Sequence, residues 1–195
     1  MPYAFYVGID PGLTGAVGTL NAQGEFVGVW DIPSTRAPGA KGRVFDAQGL
    51  SESLTELDID LRFSNTGYHD SAPHASHDAL VLIEVPQMRA TNSRASDAKA
   101  HVGFGLLLMG LVRALNRSCD IRFTEAAPWK KALALGRDKK MSLAAARDRF
   151  PGAPLGLEKH QNRAESLLIA FYAYLWRDTF YETDTGKQSA FVCGV

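Results

Sequence analysis

One stretch near the start of this chain restricts the possible folds more than any other: Tyr6-Val-Gly-Ile-Asp10-Pro-Gly-Leu-Thr-Gly15-Ala16. An apolar run, Ala4 to Ile9, reads as a strand buried in a sheet, and it ends in a lone carboxylate followed at once by a Pro-Gly turn. An aspartate there gains little from packing, and as an anion it is costly to bury unless it is paired or holds a cation. Gly12 and Gly15 allow a tight turn and leave space beside the acid. Two further apolar runs, Gly15 to Leu20 and Phe26 to Trp30, are joined by Asn21-Ala-Gln-Gly24, a hairpin signal. The N-terminal third therefore predicts an antiparallel meander that delivers Asp10 to a strand end.

A strand-borne acid beside open space directs attention to the other acids. Glu84 ends the apolar run Ala79-Leu-Val-Leu-Ile83, a fourth strand, and Glu165 lies in Asn162-Arg-Ala-Glu165-Ser-Leu-Leu-Ile-Ala-Phe171, where a helical apolar pattern starts. Carboxylates placed this way suit Mg²⁺, with Mn²⁺ as a substitute. Such ions clamp a phosphodiester and activate water, singly or as a pair about 4 Å apart.

The rest of the chain fills in around these acids. Ser34 to Arg43 reads as a Pro/Gly/basic loop, and Asp46 as the cap of a helix through Leu50, Leu54 and Leu57. Asn65 to His77 is polar and aperiodic, an exposed insertion, and the irregular spacing of His69, His74 and His77 argues against a metal cluster. Ser93 to Leu115 predicts a long helix, apolar through its second half and suited to burial or a partner chain. Asp120 to Thr124 is the fifth strand; Pro128 opens a short helix, Met141 to Phe150 forms another, and Asn162 to Trp176 is the last. The order predicts an α/β domain over 1–182, one mixed five-stranded sheet of an antiparallel meander and then parallel strands, with helices on both faces. Residues 183–195 read as a loosely ordered tail.

Composition sets outer bounds. A 46% hydrophobic and 22% charged share suits a globular domain, and no apolar run reaches the roughly 20 residues of a membrane span. Cys119 and Cys193 match no zinc spacing and read as free thiols of a reducing cytoplasm, and a secretory signal pattern is not expected at the N-terminus. Net charge is zero, which speaks against indiscriminate nucleic-acid binding, yet Lys130, Lys131, Arg137, Lys139, Lys140, Arg147 and Arg149 cluster against only Asp138 and Asp148.

Six motifs in order, Gly8-Ile-Asp10-Pro-Gly12, Ile83-Glu84-Val-Pro-Gln87, Pro128-Trp-Lys-Lys131, Asp138-Lys139-Lys140, Phe150-Pro151 and Asn162-Arg-Ala-Glu165-Ser-Leu-Leu-Ile-Ala170, resemble the RuvC family, most of all its phage-type Holliday junction resolvases. The resemblance spans Tyr6 to Tyr174. It implies an RNase H-like fold, a homodimer, and symmetric metal-dependent nicking of four-way DNA junctions that leaves 5′-phosphate and 3′-hydroxyl ends. It also implies a bacterial cytoplasm and a phage or prophage source, with no nucleotide cofactor. By motif position Asp10 and Glu84 are the first two metal-binding acids and Glu165 the acid of the final helix. The bacterial family carries an Asp, or in some members a His, three residues before that final acid, where this chain has Asn162. Phage-type members often carry Asp or His one or two residues further upstream, here Gln161 and His160, so the fourth ligand stays open among the three, with His160 and Asn162 preferred.

The mechanism this implies is in-line attack by activated water, Asp10 bridging two ions with Glu84 on one and Glu165 on the other. Lys139 or Lys140 offsets charge on the phosphate. The basic segment, with Lys130, Lys131, Arg137, Lys139 and Lys140, then reads as a DNA contact surface, extended by Arg89 and Arg94, while Phe104 is a candidate wedge for the junction centre. The alternatives are another RNase H-like nuclease acting on flaps or hybrids, or an inactive junction-binding protein, the latter motivated by Asn162.

Overall fold

The computed structural model describes residues 3–36, 43–46, 49, 52, 79–85 and 119–182. Seven strands are found there: β1 (Phe5–Asp10), β2 (Ala16–Asn21), β3 (Phe26–Asp31), β4 (Ser34–Arg36), β5 (Arg43–Phe45), β6 (Ala79–Glu84) and β7 (Cys119–Thr124). Four helices follow: α1 (Ala126–Ala132), α2 (Lys139–Arg149), α3 (Gln161–Leu175) and α4 (Arg177–Glu182), with a 3₁₀ turn at Glu158–His160. Five strands form one sheet in the order β3-β2-β1-β6-β7. The first three are antiparallel, and β6 and β7 run parallel to β1.

The sheet order follows from the apolar content of its strands. β1 and β6 are buried from their first residues to the one before the terminal acid, which suits neighbouring strands in mid-sheet covered on both faces. The β2–β3 hairpin turns where Asn21 accepts the Gln23 and Glu25 amides on its side-chain oxygen at 3.0 and 2.9 Å. Gly24 then takes a left-handed φ of 76°.

Side-chain alternation divides the sheet into two faces. Tyr6, Leu20, Leu80 and Leu82 pack with α3 and with Trp129, Leu143, Phe150 and Leu155 in one core. Phe5, Val7, Ile9, Val17, Val81 and Ile83 form the other. α3 seats directly on β1 and β2 because Gly8 and Gly18, paired across those strands, present no side chain to it. A Cβ on Gly8 would collide with the Ser166 carbonyl and the Ala170 amide, and one on Gly18 would lie 2.7 Å from the Leu167 nitrogen.

Several boundaries differ from the sequence reading. The ends of the expected 34–43 loop pair as a ribbon, Thr35 opposite Val44, two β-branched residues that suit extended backbone. α1 starts at Ala126, so Pro128 is its third residue, still within the first turn whose amides have no intrahelical acceptor. α2 starts at Lys139 rather than Met141, because the Asp138 carboxylate accepts the Lys140 amide at 2.9 Å and caps it. α3 runs one residue earlier at each end than expected. Asp46 accepts the Gly49 amide at 2.9 Å, as a helix cap does. The insertion at 65–77, the helix at 93–115, the tail at 183–195 and most of the helix after Asp46 lie outside the described residues. Among the described residues no helix is long and apolar enough to cross a membrane.

Candidate active site

Register places two of the expected acids side by side. Ile9 pairs with Ile83 across parallel β1 and β6, so Asp10 and Glu84 each follow a matched residue at the carboxyl ends of neighbouring strands. Equal parity puts both on the face that carries Tyr6, Gly8, Leu80 and Leu82, the face α3 covers. The turn after β1 closes with the Gly15 amide on the Gly12 carbonyl at 2.8 Å. Carboxyl ends of parallel strands are where open α/β sheets present functional groups.

The third acid arrives on α3. Glu165 is 4% exposed, one residue before the Ser166 carbonyl that rests on Gly8. Both its oxygens are taken. Oε1 accepts from Lys130 Nζ at 2.7 Å, with the Ser142 hydroxyl at a longer 3.4 Å. Oε2 pairs with Lys139 Nζ at 2.8 Å. Lys139 also donates to Asn162 Oδ1 at 2.8 Å, and the Asn162 amide donates to the carbonyl and the hydroxyl of Thr14. Glu84 Oε2 accepts from Trp129 Nε1 at 2.7 Å, and that indole is fully buried.

Charge is therefore unevenly distributed. Asp10 receives no hydrogen bond from the described residues, and its proton affinity is pushed up to about 7. Burial is the main cause; Lys139 and Lys130 pull the value down, while Glu84 and Glu165 push it up. Asp10 keeps some solvent contact, but the dense protein around it strips most of the hydration a carboxylate needs. Glu84 is raised for the same first reason, opposed by the Trp129 N–H and reinforced by Glu165. Burial works against the ammonium form of Lys139, yet its bond to Glu165 and the charges of Asp10, Glu165 and Glu84 raise it overall.

These groups suit a divalent cation in part. Asp10 is unpaired among the described residues and Glu84 has one oxygen without a donor there, both hard ligands on one face. Glu165 and Asn162, the other two expected ligands, have ammonium groups against their oxygens in this structure. Among the described residues no three His, Cys, Asp or Glu side chains converge on one ion-sized point.

The remaining candidates fall elsewhere. His160 sits in the 3₁₀ turn with Nδ1 accepting the Leu157 amide at 3.3 Å. Burial, then Arg163 and Lys159, lower its proton affinity, and its charged neighbours are Arg163, Lys159, Asp31 and Arg147 rather than the acids. None of Asp10, Glu84 and Glu165 is among the charges that act on it. Lys130, expected on a DNA surface, is drawn inward to Glu165. Lys131, Arg137 and Lys140 are exposed at the surface. Arg89, Arg94 and Phe104 lie outside the described residues. Trp129, Thr14 and Ser142 join the site as partners that the sequence reading does not include. Trp129 carries a signal in Pro128-Trp-Lys130, an aromatic donor beside a lysine; Thr14 carries none, being 148 residues from Asn162.

Among solved structures, the chain is similar to Thermus thermophilus RuvC in complex with a Holliday junction substrate. The two are 15% identical, with 91% of this chain and 96% of that one covered and a TM-score of 0.53. A second T. thermophilus RuvC structure is 19% identical over 88% of this chain and 96% of its own, with a TM-score of 0.40, on which nothing further rests. No protein-family model and no curated protein matches the sequence. At such identity the likeness shows the fold, the mixed five-stranded RNase H-like sheet with its helices.

Proposed function

We propose that this chain is a metal-dependent endonuclease that cuts four-way DNA junctions by paired nicks, acting as a homodimer. The observation that carries the reading is the pair Asp10 and Glu84 at register-matched strand ends, the first without a partner among the described residues, beside two lysines. The junction as substrate draws its support from the ordered motifs and from a fold shared with a protein bound to such a junction.

Asp10 and Glu84 are the residues that would hold the cation, Mg²⁺ with Mn²⁺ as a substitute. Once held there, such an ion would supply Lewis acidity at the scissile phosphate and activation of water. The protein's own groups do the rest. Trp129 fixes the rotamer of Glu84 through its N–H. Lys139, whose side chain is 46% exposed, presents an ammonium to an incoming phosphate while Asn162 and Thr14 hold it in place. Lys131, Arg137 and Lys140 on α1, α2 and the segment between them bind flanking backbone phosphates without reading bases.

Cleavage of a synthetic four-way junction in Mg²⁺ or Mn²⁺, with linear duplex as competitor, tests this. Paired symmetric nicks are expected, and Asp10→Asn should lower the rate by more than the roughly 100-fold that loss of an outer-shell partner brings. Tight junction binding with no cutting in either metal would replace the nuclease reading with a junction-binding one.

A further inference from the structure

We infer that the site takes a single divalent cation per chain, on Asp10 and Glu84, and that the ammonium groups of Lys130 and Lys139 stand where a second ion would be. This rests on the nuclease reading and specifies its cofactor.

The two-ion arrangement that the sequence resemblance implies would need Glu165 as a ligand to one of the ions. Glu165 already carries an ammonium on each oxygen, Lys130 on Oε1 at 2.7 Å and Lys139 on Oε2 at 2.8 Å, so a second cation there would meet two positive charges at close range. Neither lysine is loosely placed. The Lys130 side chain is 16% exposed, and Lys139 has a second acceptor in Asn162 Oδ1 at 2.8 Å. Asn162 is in turn anchored to Thr14 through its amide, so its oxygen faces the lysine. A carboxylate at position 162 would add negative charge for a cation; the amide adds none and serves the ammonium instead.

Charge decides in the same direction. Asp10, Glu84 and Glu165 with Lys130 and Lys139 sum to −1 when all are ionised. One divalent ion brings the cluster to +1, which a single phosphodiester neutralises. A second would bring it to +3 among largely buried groups, a surplus that one phosphate does not cancel.

The count of bound Mn²⁺, read from the free-ion electron paramagnetic resonance signal, tests the inference on the full chain. Three proteins are titrated: the unaltered chain, Asp10→Asn, and the double variant Lys139→Met with Asn162→Asp. The expected counts are one, none and two. Two ions on the unaltered chain, or retention of the ion by Asp10→Asn, overturns the assignment while leaving cleavage of junctions to be judged on its own assay. A double variant that stays at one ion overturns the claim that Lys139, held by Asn162, excludes the second. A folded unaltered chain that binds no Mn²⁺ removes the metal-dependent reading itself, and this inference with it. The count on the unaltered chain decides the first claim whether or not the double variant folds.

Discussion

Asp10 sits where its charge is unwelcome. Burial pushes its carboxyl up to about 7 from an ordinary value of 3.8. The folded value is the higher one, so the native state keeps a proton that the unfolded chain has released. Stability from this group is complete below about 4 and is lost as pH rises through about 7. Asp10→Asn, which removes the uncompensated charge, should therefore melt higher than the unaltered chain at pH 8 in a chelator, as calorimetry would show. Equal melting temperatures would mean that Asp10 has a partner in solution. Saturating Mg²⁺ should close the gap by stabilising only the unaltered chain. Trp129 offers a second residue-level test. Trp129→Phe keeps a buried ring but deletes the donor to Glu84. Metal affinity should fall about 10–100-fold, as for other outer-shell partners. Unchanged affinity in a folded variant would show that Glu84 is held by other means.

At the scale of elements, the seat of α3 on β1 and β2 governs the site. Gly8 and Gly18 let the helix backbone touch the strands, and this close approach carries Glu165 toward Asp10. Gly8→Ala pushes against the Ser166 carbonyl and the Ala170 amide, atoms that cannot rotate away. The expected cost is about 1–3 kcal/mol or somewhat more, measurable by denaturant unfolding. A fully stable Gly8→Ala chain would show that α3 has room to lift. The ion pair of Arg163 with Asp31, two contacts at 2.6 Å, ties the same helix to the end of β3. The Asp31 side chain is 60% exposed there, so the pair adds little to stability and mainly sets orientation.

For the whole molecule, a net charge of zero means that DNA affinity depends on where the cations stand. With Lys130 committed to Glu165, the proposed DNA contacts on α1, α2 and the link between them that remain exposed and outside the acid site are Lys131, Arg137 and Lys140. Junction binding should weaken with salt, and replacing all three by alanine should flatten the log–log slope by about 0.9 for each phosphate that is no longer neutralised. An unchanged slope would place the DNA on another face. How much of this is legible in the sequence varies with the range of the forces involved. Runs of apolar residues, the Asn21–Gly24 turn and the acids that end β1 and β6 are local signals. The order of residues is therefore enough to dictate the mixed sheet and to put Asp10 and Glu84 at strand ends. The β4–β5 ribbon is not legible in this way, because two three-residue strands carry too little pattern to register. Which cations meet which acids is settled by the folded arrangement alone. Lys130 reaches Glu165 across 35 residues and Asn162 reaches Thr14 across 148, separations at which no periodicity operates. Those meetings are set by how closely a helix settles on paired glycines and by the need of buried carboxylates for positive charge. A lysine that reads as a solvated contact for DNA therefore becomes part of the acid site once the chain is folded.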